Sequence, residues 1–289
     1  MKSEECWTIA KVLEWTRGYF ESQSNPSSRL DAELLLAHTL NVERIALYLD
    51  HHKPMSSSEL AKMRGLVKRR AKGEPIHYIL GHREFWSMTL AVKPGVLIPR
   101  PDTEILVEVA LKTLDDPDGS YQIADIGCGS GAIGLAIGSE RKESTVLCTD
   151  LNPDALQLAK ENANKCGLGN IEFQQSNLLG QVEGDFDLIV SNPPYIRTEE
   201  IQHLMSDVRD FEPLMALDGG PDGLTFYRRL IRESSAHLRT GGFLALEIGY
   251  DQKEAVKSLF DESKELEFVS SHKDLAGCDR VILGKLSAL

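Results

Sequence analysis

From Tyr121 onward the chain alternates short apolar runs with segments of helical period, and this alternation restricts the folds open to it. Candidate strands fall at 123–126, 145–149, 171–174, 186–191, 243–248, 268–271 and 280–283. Helical patterns lie between most of them, at 132–139, 153–165, 224–238 and 252–263. A strand that returns parallel to its predecessor needs a crossover, so the expectation is an α/β fold whose mainly parallel sheet is covered on both faces. Only a short connection separates the last two candidate strands, which predicts an antiparallel hairpin at the end of the sheet.

The pattern before residue 85 is helical instead. Ile9, Val12, Leu13 and Phe20 fall on one face, and Leu30, Leu34 and Ala37 on another after the start signal Asn25-Pro26-Ser27-Ser28. Ser56 and Glu59 have the spacing of a capping box, and Leu60, Met63, Val67 and Ala71 follow until Gly73 and Pro75 end the run. Four or five short helices of this kind predict a small bundle. Residues 85–92 and 96–98 flank Lys93-Pro94-Gly95, which is turn chemistry and predicts a hairpin linker. Pro99-Arg100-Pro101 breaks that segment, and Asp102 is placed to cap a helix carrying Ile105, Val109 and Leu114. The expected division is a helical domain at 1–84, a hairpin linker at 85–98 and an α/β domain at 99–289.

The 289 residues are 42% hydrophobic and 26% charged, an ordinary globular mix. No apolar stretch approaches the roughly 20 residues of a membrane span, and Met1-Lys-Ser-Glu-Glu-Cys6 has no apolar signal core, so a soluble cytoplasmic protein is expected. Five scattered cysteines without a C-x-x-C argue against a disulfide framework or a zinc site and for a reducing compartment. The histidines, among them the His51-His52 pair, lack metal spacing, and no metal is expected. Net charge is −12, yet the first 85 residues carry 13 Lys and Arg against 11 Asp and Glu. The acidic remainder disfavours a broad nucleic-acid groove, which needs clustered positive charge. One basic run stands out, Lys62, Arg64, Lys68, Arg69, Arg70 and Lys72; such runs are most often a solvated helix face.

Two segments carry chemistry. In the first, Ile123-Ala-Asp-Ile empties into Gly127-Cys128-Gly129-Ser130-Gly131 and then a helix. Glycines let a ligand approach the backbone and the helix start offers free N–H groups, although a glycine loop alone can be a plain turn. Its spacing is G-x-G-x-G, unlike the G-x-G-x-x-G of dinucleotide sites. Asp125 precedes the loop, and Asp150 closes the next strand, where an acid can accept hydrogen bonds from a ribose diol. A cofactor with positive charge, a ribose and no phosphates suits that set, and S-adenosylmethionine is one.

The second segment is Phe186-Asp-Leu-Ile-Val-Ser-Asn192-Pro193-Pro194-Tyr195. Proline forces Asn192 into extended backbone, and two successive prolines stiffen the turn while leaving carbonyls that no local donor occupies. The result is a rigid set of acceptors where ligands of α/β sheets bind. Acceptors without a strong base suit a planar NH2 group, which two hydrogen bonds would aim at a methyl donor, and Tyr195 could stack on that plane.

With these motifs, Pro75-Ile-His-Tyr-Ile-Leu-Gly81, Glu84-Phe85, Leu97-Ile-Pro-Arg100-Pro-Asp-Thr-Glu104 and Gly219-Gly-Pro-Asp-Gly223-Leu give the chain a resemblance to the HemK/PrmC protein-(glutamine-N5) methyltransferases. The resemblance covers nearly the whole chain. It implies a class I methyltransferase fold, Rossmann-like with seven strands, behind a helical domain that docks a peptide chain release factor. That factor's Gly-Gly-Gln loop would enter the pocket and its glutamine amide would be methylated, leaving S-adenosylhomocysteine. Gly127, Cys128, Gly129, Ser130 and Gly131 would wrap the methionine part of S-adenosylmethionine, and Asp125 would also belong to the cofactor site. Asp150 would bind the ribose, Leu151 would also touch the cofactor, and Asn177 and Leu178 stand near the adenine. Asn192, itself also at the cofactor, would hold the glutamine amide with Pro193, Pro194 and Tyr195. Arg100, Thr103 and Glu104 would shape the site or the linker, or simply start a helix. The same motif could serve a glutamine of a ribosomal protein, or N6 of adenine and N2 of guanine in nucleic acid. No membrane or direct nucleic-acid contact is expected, and a monomer is the default.

Overall fold

The computed structural model describes residues 6–287. The chain divides into two compact units, Met1–Gly81 and His82–Leu289. The first holds α1 (Ile9–Ser22), α2 (Ser28–Leu40), α3 (Arg44–Leu49), α4 (Ser57–Ala71) and α5 (Ile76–Leu80). Ile9, Val12 and Phe20 are buried as their spacing predicts, together with Met63 and Val67 of α4. Of the face expected on α2, Ala37 is buried and Leu34 half-buried, but Leu30 lies exposed; Ala32, Leu35 and Leu36 complete the inward side. The Ser56–Glu59 capping box forms at the start of α4. The basic run of α4 is divided by its partners. Arg70 pairs with the buried Asp31 at 2.6 Å, Arg69 pairs with Glu74, and Lys62 donates to the His38 carbonyl. Arg64, Lys68 and Lys72 remain exposed.

The second unit opens with a hairpin, β1 (His82–Phe85) and β2 (Met88–Ala91), whose register pairs Phe85 with Met88. Its turn is Trp86-Ser87, both at positive φ, and not the expected Lys93-Pro94-Gly95; residues 96–98 form no strand. A two-residue turn with both φ positive matches the twist of paired strands, and the Glu104 carboxylate holds it by accepting from the Trp86 N–H at 2.9 Å. Asp102 does not cap a helix as expected. It lies within a 3-10 turn, Pro101–Thr103, which runs directly into α6 (Glu104–Thr113).

The remaining elements are β3 (Gln122–Ile126), α7 (Ala132–Glu140), β4 (Thr145–Asp150), α8 (Pro153–Cys166), β5 (Ile171–Gln175), β6 (Phe186–Ser191), α9 (Ser206–Arg209), α10 (Thr225–Ser234), β7 (Leu238–Glu247), α11 (Lys253–Glu262), β8 (Leu266–Lys273) and β9 (Asp279–Leu286). They build a seven-stranded sheet in the order β5-β4-β3-β6-β7-β9-β8. The strands from β5 to β7 are parallel, and β9 and β8 close the sheet as the expected antiparallel hairpin. Ile123, Leu188 and Val190 face a core formed with α6, α7 and α8, whereas Ala124, Ile126 and Ile189 face the core under α10 and α11. Strand residues alternate between two buried faces, so each strand reads as a continuous apolar run.

The helix expected at 224–238 runs too far. α10 stops at Ser234, and Leu238 already pairs with Phe186, after which the register shifts to Leu188↔Phe243 across a bulge containing Gly241 at φ 81°. The bulge is invisible to a periodicity count because its extra residues break the strand's alternation.

Asn162 on α8 fastens the hairpin to the sheet. It accepts from the Ala91 N–H at 2.7 Å and donates to the Ala91 carbonyl at 3.1 Å and the Ser130 carbonyl at 2.9 Å. Asn162→Ala would leave these backbone groups without partners. It is expected to lower unfolding free energy by about 2–4 kcal/mol, read by denaturant titration.

Candidate active site

The sheet reverses its winding between β3 and β6, so the loops that leave these neighbouring strands part and open a crevice. The crevice is a cavity of about 620 Å³, inside the range of about 300–1,000 Å³ for small-molecule sites. Gly127, Cys128, Gly129 and Ser130 line one side. Asp150 and Leu151 after β4, and Asn177 and Leu178 after β5, continue the wall. Asn192, Pro193 and Pro194 complete it after β6. Thus the two motifs, 61 residues apart between Gly131 and Asn192, are brought to one cavity.

The loop is held by its own backbone. Gly127 and Cys128 both donate to the Thr149 carbonyl at 2.8 Å, and Gly129 donates to Asp150 Oδ2 at 2.9 Å. Asp150 Oδ1 accepts from the Asn152 N–H at 2.8 Å. Burial raises the Asp150 pKa, and these backbone N–H groups oppose the rise. Each carboxylate oxygen keeps a second lone pair, so Asp150 can still accept from a ligand in the cavity. Leu178 takes φ 54°, and its carbonyl accepts from Ser176 Oγ at 2.6 Å; Asn177 Oδ1 accepts from Arg229 at 2.9 Å.

Three expected site residues do not line the cavity. Asp125 is fully buried beneath the loop, where Oδ2 accepts from the Gly134 N–H at 2.8 Å and Oδ1 has no protein partner. It fastens β3 to the first turn of α7, and burial pushes its pKa up to about 7. Gly131 serves packing: a Cβ there would lie 3.1 Å from Ala159 Cβ, where α7 meets α8. Tyr195 packs against the core under α10 and α11, and burial pushes its hydroxyl up to about 12.

Several residues that matter here carry no local sequence signal. Gln252 donates to the Tyr195 carbonyl at 2.9 Å and the Gly223 carbonyl at 3.2 Å, and so holds the Asn-Pro-Pro-Tyr turn from behind. Gly219 lies so close that a Cβ would approach Tyr195 Cα to 2.7 Å. That contact gives the glycines of 219–223 a physical reason. Glu212, 2% exposed at its side chain, pairs with Arg100 at 2.6 Å and accepts from the Ile98 N–H at 3.3 Å. The pair fixes the segment in which Leu214 and Met215 line the mouth; both are exposed. Phe226 of α10 also lines the cavity. Of Arg100, Thr103 and Glu104, the first two reach it, and Glu104 braces the hairpin turn instead.

The chain is similar to known proteins. The profile of the PrmC N-terminal domain matches residues 11–81, and that of the methyltransferase small domain matches 100–208. A release factor glutamine methyltransferase of Geobacter sulfurreducens is 42% identical over 282 residues, 98% of each chain. The chain belongs to the release factor glutamine methyltransferase family. The family's member from Xylella fastidiosa is 43% identical, covering 89% of this chain and 93% of its own. A solved methyltransferase from Pyrococcus furiosus, 22% identical, superposes with a TM-score of 0.53 over 70% of this chain and 90% of that one, and shares the fold. Among the described residues, no helix is long and apolar enough to cross a membrane.

Two outcomes follow for this methyltransferase. Gly219→Ala should displace the Asn-Pro-Pro-Tyr turn and lower kcat by about tenfold or more in a methyl-transfer assay, since small misplacements are costly in catalysis. Asp125 carries a folded-state pKa of about 7 against an ordinary 3.8. Its contribution to stability is therefore present below about pH 4 and lost as pH rises to about 7. Asp125→Asn should flatten this loss, so the difference in Tm between variant and wild type should shift in the variant's favour from pH 5 to pH 8, about the window named.

Proposed function

We propose that the enzyme transfers a methyl group from S-adenosylmethionine to the side-chain amide nitrogen of the glutamine in the Gly-Gly-Gln motif of peptide chain release factors. The observation that carries this reading is the meeting of Asp150 and the glycine loop with Asn192-Pro193-Pro194 in one cavity. The residues fit the donor. Asp150 offers a carboxylate with spare acceptor capacity for a ribose diol, Leu151, Leu178 and Phe226 offer apolar surface for a base, and the open backbone beside Gly127 and Gly129 admits the methionine part. The Asp150 carboxylate, held by backbone N–H groups at the cavity wall, favours a cationic group beside it.

S-adenosylmethionine supplies a methyl carbon on a sulfonium, which the amide nitrogen takes as the carbon–sulfur bond breaks, its own proton then leaving to water. The protein's part is position and field. Asn192 Nδ2 is engaged by Thr103 Oγ1 at 3.2 Å, which leaves Oδ1 to accept from the substrate NH2. A carbonyl of the Pro-Pro turn accepts the second N–H, and together they hold the nitrogen toward the methyl carbon and favour its pyramidal form as positive charge develops. The exposed apolar rim of Leu214 and Met215 suits burial under an incoming protein loop. In the helical unit, Arg64, Lys68 and Lys72 are the exposed part of the basic run and the proposed portion of the docking face. The working unit is proposed to be a monomer, acting in the cytoplasm where release factors are met.

Labelled S-adenosylmethionine, a purified release factor and its Gly-Gly-Gln→Gly-Gly-Ala variant test this by peptide mass spectrometry. Label is expected on the wild-type peptide alone, and Asn192→Ala enzyme should lose about 100-fold or more in kcat. Label on a ribosomal protein or on nucleic acid instead would overturn the substrate and keep the chemistry.

A further inference from the structure

An asparagine side chain presents a carbonyl or an NH2 in almost the same shape, so packing alone does not choose between them. The choice matters at Asn192. With Oδ1 toward the cavity it accepts from a substrate NH2; flipped, it sets donor against donor. This argument rests on the reading of Asn192 as the amide acceptor.

Glu247 ends β7 and is 1% exposed, and Thr103, 4% exposed, lies between chain segments that reach the cavity. The side chains of Thr103 and Asn192 both face the Glu247 carboxyl and favour its charged form. Asn192 Nδ2 donates to Thr103 Oγ1. A carboxylate only accepts, so a threonine hydroxyl turned toward Glu247 can only donate to it, and a lone pair is left for the Asn192 NH2. We infer that Glu247 and Thr103 are positioning residues that set which end of the Asn192 amide faces the substrate.

Two other buried acids of this unit, Glu212 and Asp274, are satisfied in ways Glu247 is not, whereas Asp125 shares its unpartnered oxygen. Glu212 has Arg100 and a backbone N–H, and Asp274 has Arg280 at 2.9 Å with two backbone N–H groups. Glu247 Oε2, by contrast, has no hydrogen-bond partner in the protein. The charged and titratable groups that face it are Arg280 on β9, Asp102 in the 3-10 turn, Tyr195 after β6 and Tyr227 on α10. Arg280 is already committed to Asp274 and, at 3.5 Å, to Asp102. Keeping a carboxylate here is costly, and a glutamine of the same shape would avoid the charge; an acceptor that cannot reverse is what the carboxylate adds. Burial pushes Glu247 up to about 7. Once protonated it can donate, the direction of the chain is no longer fixed, and activity should fall on the acid side.

The test uses the full-length enzyme with the release factor as substrate. Glu247→Gln is expected to lower kcat about tenfold or more while the calorimetric Kd for S-adenosylmethionine stays within about twofold, and to abolish the acid limb of the pH–kcat profile. Thr103→Val should lower kcat comparably, and Thr103→Ser should restore it. This pair carries the test if Glu247→Gln does not fold. Wild-type kcat in Glu247→Gln and Thr103→Val, beside an inactive Asn192→Ala, overturns the inference and leaves the site reading intact. A lower kcat with the acid limb unmoved in Glu247→Gln marks a merely structural role and overturns it as well. Full activity in Asn192→Ala would instead overturn the site reading itself.

Discussion

The position of β6 beside β3, rather than beside β5, is the constraint on which the site depends. β3, β4 and β5 wind outward in one direction, and the chain then returns across the sheet to begin again on the other side of β3. Loops that leave β3 and β6 must therefore diverge, one to α7 and the other to the segment before α10, and the space between them cannot be filled by either. The contact that closes the bottom of this space is small: Ser191 Oγ donates to the Ile126 carbonyl at 2.7 Å, joining the last residues of the two strands. Above it, the same arrangement collects glycines from one strand end, an acid from the next and an asparagine from the third.

A set of buried carboxylates then fixes the walls. Asp125 holds the start of α7, Asp150 the glycine loop, Glu212 the segment at the mouth and Glu247 the neighbourhood of Asn192. These acids differ in how they are compensated. Glu212 has a full cationic partner, Asp150 has backbone donors, and Asp125 and Glu247 each keep an oxygen without one. Desolvation therefore dominates at the last two, and both are pushed up to about 7. When ionised they add negative charge around the cavity, which matches a cation more readily than a phosphate.

How much of this could be read in the sequence follows from how local each feature is. The glycine loop, Asp150 and Asn192-Pro-Pro carry their geometry within a few residues, and all of them reach the cavity. The parallel sheet and its terminal hairpin were legible because strand and helix periods differ. Asp125 was close to the loop in sequence but on the wrong side of it: strand alternation sends its side chain beneath the turn rather than into the crevice. Glu247, Gln252 and Glu212 gave no signal, since each acts across elements brought together only by the strand order. The hairpin turn was misplaced because Pro-Gly is the stronger turn dipeptide, whereas the Trp86-Ser87 turn is made possible by a carboxylate 18 residues away.

The Asn-Pro-Pro-Tyr turn has one more consequence, in entropy. Two prolines remove backbone freedom from within, and Gln252 and Gly219 remove it from behind. Whatever ordering this turn requires is therefore met once, when the chain folds, and does not recur with each substrate that arrives. An incoming loop brings its own disorder to be lost, but finds a partner surface that has none left to lose.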